Sequence, residues 1–93
     1  IASTHLVYHG SRLALVSKRL GKSLDIRVEP EDARLPEYLA LFKDLLSREF
    51  NPLQKIAVEE INGGPALRSP FAEAVKQFGF RSSRNALELW KEY

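Results

Sequence analysis

The sequence predicts an α+β domain in which an antiparallel sheet packs against two helices, in the order β-β-β-α-β-α-β. Near the N-terminus, three short apolar runs are separated by turns that contain glycine, which indicates an antiparallel meander. Apolar residues then recur every three or four positions between residues 35 and 50, as they do on one face of a helix. Residues 56–80 hold a further strand, a Gly-Gly-Pro turn and a second helix, so we expect both helices to cover one face of the sheet.

The first three strands are predicted at residues 6–8, 13–16 and 24–28. The turns between them, at residues 9–12 and 20–23, each contain one glycine. In the third strand, apolar residues alternate with charged ones, which is typical of a strand with one buried and one solvated face.

The first helix is predicted from residue 35 to about residue 50, and Asn51 and Pro52 are expected to end it. One face of this helix is apolar and is expected to be buried; it carries Tyr38, Leu41, Phe42, Leu45 and Leu46. The next strand is predicted at residues 55–61 and the last at residues 86–90.

A tight turn at residues 62–65 and a second helix lie between those two strands. Ser69 is predicted to cap the helix, with Pro70 at its first position. Gly79 is expected to end it in a left-handed conformation. The apolar face of this helix is predicted to be core and consists of Phe71, Val75 and Phe78, and Phe80 just after the helix is predicted to be core as well.

Length and composition indicate one small globular domain, residues 1–93, with a single modest core. The chain contains no methionine and starts with Ile1, so we expect it to be an excised part of a larger protein. Cysteine is absent, which excludes disulfides and thiolate metal sites. No apolar run approaches the roughly 20 residues that span a bilayer, and we expect a cytoplasmic location.

Basic residues are concentrated in two places. Residues 1–28 carry five bases against one acid, and three of the bases, Lys18, Arg19 and Lys22, flank the second turn. Arg81 and Arg84 form a second basic pair. Either group is a candidate for phosphate contacts, which need no sequence code. The alternative is a charged surface that discourages strand-to-strand aggregation.

The residues that often carry catalysis do not form a recognisable motif. Gly63 and Gly64 are not followed by Lys-Ser/Thr, so they are interpreted as a turn and not as a phosphate-binding loop. His5 and His9 fall in and beside a strand, where four residues span about 13 Å, too far for a metal pair. We therefore predict no catalytic residue, no metal and no cofactor in this chain.

Trp90 and Tyr93, at the end of the chain, have two interpretations. An aromatic ring there could stack on a nucleic-acid base. It could instead close the core or dock on a neighbouring domain.

The order of residues 56–80 resembles the C-terminal end of the large helicase-related (Lhr) family of ATP-dependent superfamily 2 helicases of the DEAD/DEAH type. The family segment reads as an apolar strand, Ile-Asp/Asn-Gly, a proline, Ser-Pro, an apolar helix and Gly-Phe. The matching residues here are Ile61, Asn62, Gly63, Pro65, Ser69, Pro70, Gly79 and Phe80. Residues 9–24 resemble the family's preceding hairpin, whereas Ala86 stands where the family tends to have glycine.

The resemblance implies that the chain is a C-terminal accessory module of a helicase that moves along single-stranded nucleic acid and acts in DNA repair or recombination. ATP and magnesium would bind elsewhere in that parent protein, and this module would brace the motor. Its implied partners are the remaining helicase domains and DNA or RNA, with no membrane. Two alternatives remain: a stand-alone nucleic-acid-binding module, and a protein-interaction domain that uses the acidic first helix.

Overall fold

The computed structural model describes residues 4–49 and 53–91 and confirms the α+β class, with two helices and mostly antiparallel strand pairs. The strands of the described residues are β1 (His5–His9), β2 (Arg12–Lys18), β3 (Ser23–Ile26), β4 (Lys55–Val58), β5 (Glu60–Ile61), β6 (Gly64–Pro65), β7 (Arg81–Ser82) and β8 (Leu87–Trp90). The helices are α1 (Leu35–Ser47) and α2 (Ala72–Phe78), and a short 3-10 helix, Ala66–Arg68, precedes α2.

The strands form two sheets, where the sequence predicted one. The first has the order β1-β2-β3-β5-β6 and the second has the order β4-β8-β7. The predicted meander of β1, β2 and β3 is present, and only the β3–β5 pair is parallel among the described strands. The strand predicted at residues 55–61 is divided at Glu59, so that β4 and β5 belong to different sheets.

Side-chain alternation explains the division at Glu59. Ile56 and Val58 are both fully buried, and Ile61 is only 3% exposed. In a regular strand, residues 58 and 61 would point to opposite faces because successive side chains alternate. The break lets all three apolar side chains reach the core.

The core is shared by both sheets and both helices. Its largest fully buried side chains include Leu15 and Leu24 of the first sheet, Ile56 and Leu87 of the second, and Leu39 and Phe42 of α1. The rings of Phe42 and Phe80 meet edge to face, with centroids 5.8 Å apart, which is a favourable aromatic geometry.

Helix α1 ends at Ser47, three residues before the predicted end. The predicted apolar face is buried except for Leu41, which is half-buried, and Leu35 and Leu39 are buried as well. The predicted stop at Asn51 and Pro52 lies outside the described residues.

Helix α2 begins at Ala72, two residues later than predicted, and no side chain caps it. The Ser69 hydroxyl accepts a hydrogen bond from the Phe71 amide at 3.0 Å, and the Ser69 carbonyl accepts one from the Ala72 amide at 3.0 Å. Ser69 and Pro70 therefore form a turn that leads into the helix, because the first regular helical bond runs from the Val75 amide to the Phe71 carbonyl.

Gly79 ends α2 with a φ of +139°, so the predicted positive φ is present. The Gly79 amide donates to the Lys76 carbonyl and the Phe80 amide donates to the Val75 carbonyl, a pattern that defines a Schellman motif. The turn reverses the chain and directs Phe80, only 2% exposed, into the core. Phe78 is half-buried, with the Lys43 ammonium 4.7 Å from its ring centre, which corrects its assignment as a core residue.

The turn before β8 needs no glycine. Ala86 is buried and is not among the described residues with positive φ. Its carbonyl accepts hydrogen bonds from the Ser83 amide at 2.8 Å and the Ser83 hydroxyl at 3.1 Å. The departure from the family pattern at this position is therefore compatible with a regular turn.

We expect Phe80→Ala to lower the free energy of unfolding by about 3–5 kcal/mol, because it removes a fully packed ring from the core. Phe78→Ala should cost clearly less, because that ring is half-buried. Urea denaturation of the two variants measures the difference. An equal loss, or a larger loss for Phe78→Ala, would contradict this arrangement of the core.

The turn between β2 and β3 packs tightly on the second sheet through Gly21. Gly21 has a φ of +93°, and a Cβ atom there would lie 2.6 Å from Ile56 Cγ2 and 3.1 Å from Phe42 Cε1. Gly10 also has a positive φ, +64°, but a Cβ at that position would meet nothing within 4 Å. Comparing substitutions at Gly10 and Gly21 therefore separates the effect of backbone conformation on stability from the effect of close packing.

We expect Gly10→Ala to cost roughly 1–2 kcal/mol, because a Cβ crowds the left-handed conformation. Gly21→Ala should cost about 1–3 kcal/mol more, because the added methyl overpacks the contact with Ile56 and Phe42. The difference between the two urea midpoints tests the contact, and equal midpoints would refute it.

Candidate nucleic-acid interface

The first predicted basic group surrounds the turn between β2 and β3. Lys18, Arg19 and Lys22 are all exposed there, so the structure brings them together on one turn. Arg19, Leu20 and Gly21 have φ values of +54°, +57° and +93°. Positive φ at two consecutive non-glycine residues is uncommon, and the tight turn holds these cations at the end of the hairpin.

Two carboxylates lie next to this basic turn. The Lys22 carbonyl accepts hydrogen bonds from the Glu59 amide at 2.8 Å and the Glu60 amide at 3.1 Å, where β5 joins β3. Arg19 Nη2 lies 3.5 Å from Glu60 Oε1, and both side chains are at least half exposed. Such an exposed ion pair adds little stability, but it offsets the charge of Arg19 and leaves Lys18 and Lys22 as the stronger candidates for phosphate contacts.

The second predicted basic group belongs to the other sheet. Arg81 lies on β7 opposite Glu88 of β8, and Arg84 lies in the turn between these strands. Both arginines are exposed. Lys18 and Arg81 are thus on different sheets, so the first basic group belongs to one sheet and the second to the other.

The outer face of the second sheet carries an aromatic and cationic group that the sequence did not predict as a unit. Leu87 and Leu89 point inward and are buried, so Glu88 and Trp90 of the same strand point outward. Lys55 of β4 lies directly opposite Trp90 in the sheet, and Arg81 of β7 lies directly opposite Glu88. We call Lys55, Arg81, Glu88 and Trp90 the outer-face cluster.

Contacts within the outer-face cluster fix the indole of Trp90. The Lys55 ammonium lies 5.0 Å from the ring centre, a cation–π contact. The indole Nε1 donates to Glu88 Oε1 at 3.2 Å, and Glu88 Oε2 lies 3.5 Å from Lys55 Nζ. Trp90 is nevertheless 55% exposed, so it does not close the core. In the sequence, Lys55 immediately precedes the alternating apolar residues Ile56 and Val58, and this period of two could have placed Lys55 on the outer face. Tyr93 lies outside the described residues.

Asn62 connects the meander β1–β3 of the first sheet to the β5–β6 hairpin. Asn62 and Gly63 have φ values of +53° and +85° in the two-residue turn between β5 and β6, as in the type I′ turn that favours Asn-Gly. The Asn62 side chain accepts a hydrogen bond from the Ile26 amide at 2.7 Å and donates one to the Ile26 carbonyl at 3.2 Å. The Asn62 side chain thus makes the two hydrogen bonds to Ile26, at the end of β3, that the backbone of a neighbouring strand would otherwise make.

The other motif residues of the second half also have structural positions. Pro65 lies on β6, Ser69 and Pro70 form the turn into α2, Gly79 ends that helix and Phe80 fills the core. Within residues 4–49 and 53–91, no group of three or more His, Asp or Glu side chains could hold a metal ion. None of the helices formed by these residues is long and apolar enough to cross a membrane.

The fold and its surfaces define a small two-sheet α+β domain with two basic surfaces, one of which carries an exposed indole. Comparisons with protein-family models, curated proteins and solved structures find no match. The resemblance to the helicase family therefore stays a prediction carried by the motif residues.

We expect Asn62→Gly to lower the free energy of unfolding by about 1–3 kcal/mol, because two hydrogen bonds to Ile26 are lost while glycine keeps the positive φ. Asn62→Ala should cost a further 1–2 kcal/mol or so, since alanine resists that conformation. Chemical denaturation of both variants measures the contribution of the hydrogen bonds and the cost of the backbone conformation separately. Wild-type stability in Asn62→Gly would show that the contact with Ile26 contributes nothing.

Proposed function

We propose that the chain is a non-catalytic accessory module of an ATP-dependent DNA or RNA–DNA helicase, which braces the motor and contacts nucleic acid. The observation that carries this proposal is the structural use of the family-like residues. Asn62 ties β5 to β3, Gly79 closes α2 and Phe80 packs against Phe42. A segment whose distinctive residues maintain the architecture fits a supporting module better than a reaction centre.

In this proposal ATP and magnesium bind to the motor domains of the parent protein, and the partners of this module are those domains together with DNA or RNA. The module works in the cytoplasm and has no membrane partner. Phosphate contacts come from Lys18 and Lys22 at the basic turn, with Arg81 and Arg84 as the second group. Both groups lie on strands or tight turns, which fix the backbone positions of these residues.

The coding sequence upstream of Ile1 tests the helicase part of the proposal. We expect it to encode a phosphate-binding loop, Gly-x-x-x-x-Gly-Lys-Ser/Thr, and an Asp-Glu-x-His box. If the upstream sequence encodes neither motif, the helicase assignment fails. A chain that then still binds nucleic acid would be a stand-alone binding module.

We expect the isolated chain to bind duplex DNA weakly and without sequence preference, with a log-log salt slope near −2 if Lys18 and Lys22 each contact one phosphate. The double variant Lys18→Glu/Lys22→Glu should weaken this binding strongly, with little change in melting temperature. The control is Arg68→Glu/Lys76→Glu, which changes the net charge equally at 3-10 and α2 residues. If the control weakens binding as much, or the test variant binds normally, the basic turn is only a solvated edge.

A further inference from the structure

We propose that the outer-face cluster binds single-stranded nucleic acid, with one base stacked on the indole of Trp90 and the neighbouring phosphates held by Lys55 and Arg81. This inference rests on the proposed function and deepens it, because it names the strand form of the ligand and the surface that receives it. It differs from the contact proposed for the basic turn, which involves phosphate alone.

The exposure of Trp90 is the first argument. Large apolar side chains of the described residues are mostly buried, and three are more than half exposed: Leu6, Tyr8 and Trp90. Tryptophan has the largest π surface of any side chain, and it stacks on any of the bases because every base has a π face. Trp90 lies on β8, where it pairs with Lys55 of β4, so its backbone is held in the sheet while the ring stays exposed.

The orientation of the indole before any ligand binds is the second argument. Glu88 accepts a hydrogen bond from the indole N–H, so the Trp90 side chain has less rotational freedom to lose on binding. The Lys55 ammonium lies over the ring before any ligand binds. The lysine side chain is long and flexible, so an incoming base can displace its ammonium from the ring. The displaced ammonium then remains near the base and within reach of the phosphate next to it.

A cleft of about 200 Å³ lies beside the indole. Strand β7 pairs only with the first two residues of β8, so Leu89 and Trp90 leave a gap with no strand partner on the β7 side. The cleft in this gap is lined by Lys43, Leu46, Ser47, Leu89, Trp90 and Lys91. Apolar walls with lysines among the lining residues suit a planar base attached to a charged backbone.

Charge selects a phosphate-bearing ligand for this surface. Lys55 and Arg81 belong to the cluster and Lys43 lines the cleft, whereas Glu88 supplies a single carboxylate, which is already shared by Lys55 and Trp90. Single strands expose both bases and phosphates, whereas the bases of a duplex are stacked on one another. The arrangement therefore favours a single strand over a duplex.

The fluorescence of the full chain gives a direct test, because Trp90 is its only tryptophan. Titration with oligo-dT or oligo-rU of about a dozen nucleotides should quench the indole emission as a base stacks. Anisotropy of a labelled oligonucleotide should show that Trp90→Ala weakens binding by about 5-fold to 150-fold. Trp90→Phe should restore part of the affinity, and Lys55→Ala/Arg81→Ala should lower both the affinity and its salt slope.

Tyr8→Ala is the matched control, because Tyr8 is an equally exposed aromatic residue on the first sheet, 55% accessible. Its affinity for the oligonucleotide should equal that of the wild type. Circular dichroism checks that each variant is folded, as expected for changes at exposed positions.

Three results would overturn the inference, and they differ in what they mean for the proposed function. If Trp90→Ala binds like the wild type without quenching but Lys18→Glu/Lys22→Glu does not bind, the inference fails while the nucleic-acid contact at the basic turn stands. If the wild type binds neither single strands nor duplex, the inference and the nucleic-acid part of the proposed function both fail. If polyglutamate quenches the indole and displaces the oligonucleotide at equal concentration, the surface recognises acidic polymers and not bases.

Discussion

The parallel pairing of β3 with β5 is the contact on which the arrangement of both sheets depends. It covers only two residue pairs, Ser23 with Glu60 and Leu24 with Ile61. The chain extends it at both ends. At one end, the Lys22 carbonyl accepts hydrogen bonds from two backbone amides. At the other end, the Asn62 amide donates to the Leu24 carbonyl, and the Asn62 side chain forms hydrogen bonds with the Ile26 backbone. Because β5 follows β4 after a single residue, this ladder also fixes where the second sheet begins.

The two sheets meet at a point where there is no room for a side chain. Gly21 brings the backbone of the β2–β3 turn against Ile56 of β4 and Phe42 of α1. The same turn carries the first basic group, so its position is set by the core beneath it. The backbone of this turn is therefore in place before any ligand binds, which suits an accessory module that presents the basic residues to a partner.

The two basic surfaces differ in the groups around them, and this difference separates their proposed roles. At the basic turn, the Glu60 carboxylate lies near Arg19, and Glu59 precedes Glu60 in the chain, so positive and negative charges are mixed at this surface. On the second sheet, the single carboxylate of the outer-face cluster, Glu88, is engaged by the indole and by Lys55. The first arrangement offers charge alone, whereas the second combines charge with an aromatic plane, which is the combination that single-stranded nucleic acid requires.

The sequence by itself determined the features that depend on near neighbours: the alternating meander strands, the helical period of residues 35–47, the positive φ of Gly79 and the turn at Asn62-Gly63. Only the tertiary structure decided the break at Glu59, the partial exposure of Phe78, the contact between Asn62 and Ile26 and the pairing of Lys55 with Trp90. Each of these features depends on contacts between groups that are distant in sequence, or on which of the residues around a turn reaches the core. Local patterns report the conformation a segment prefers, but they do not report which distant surface will bury it.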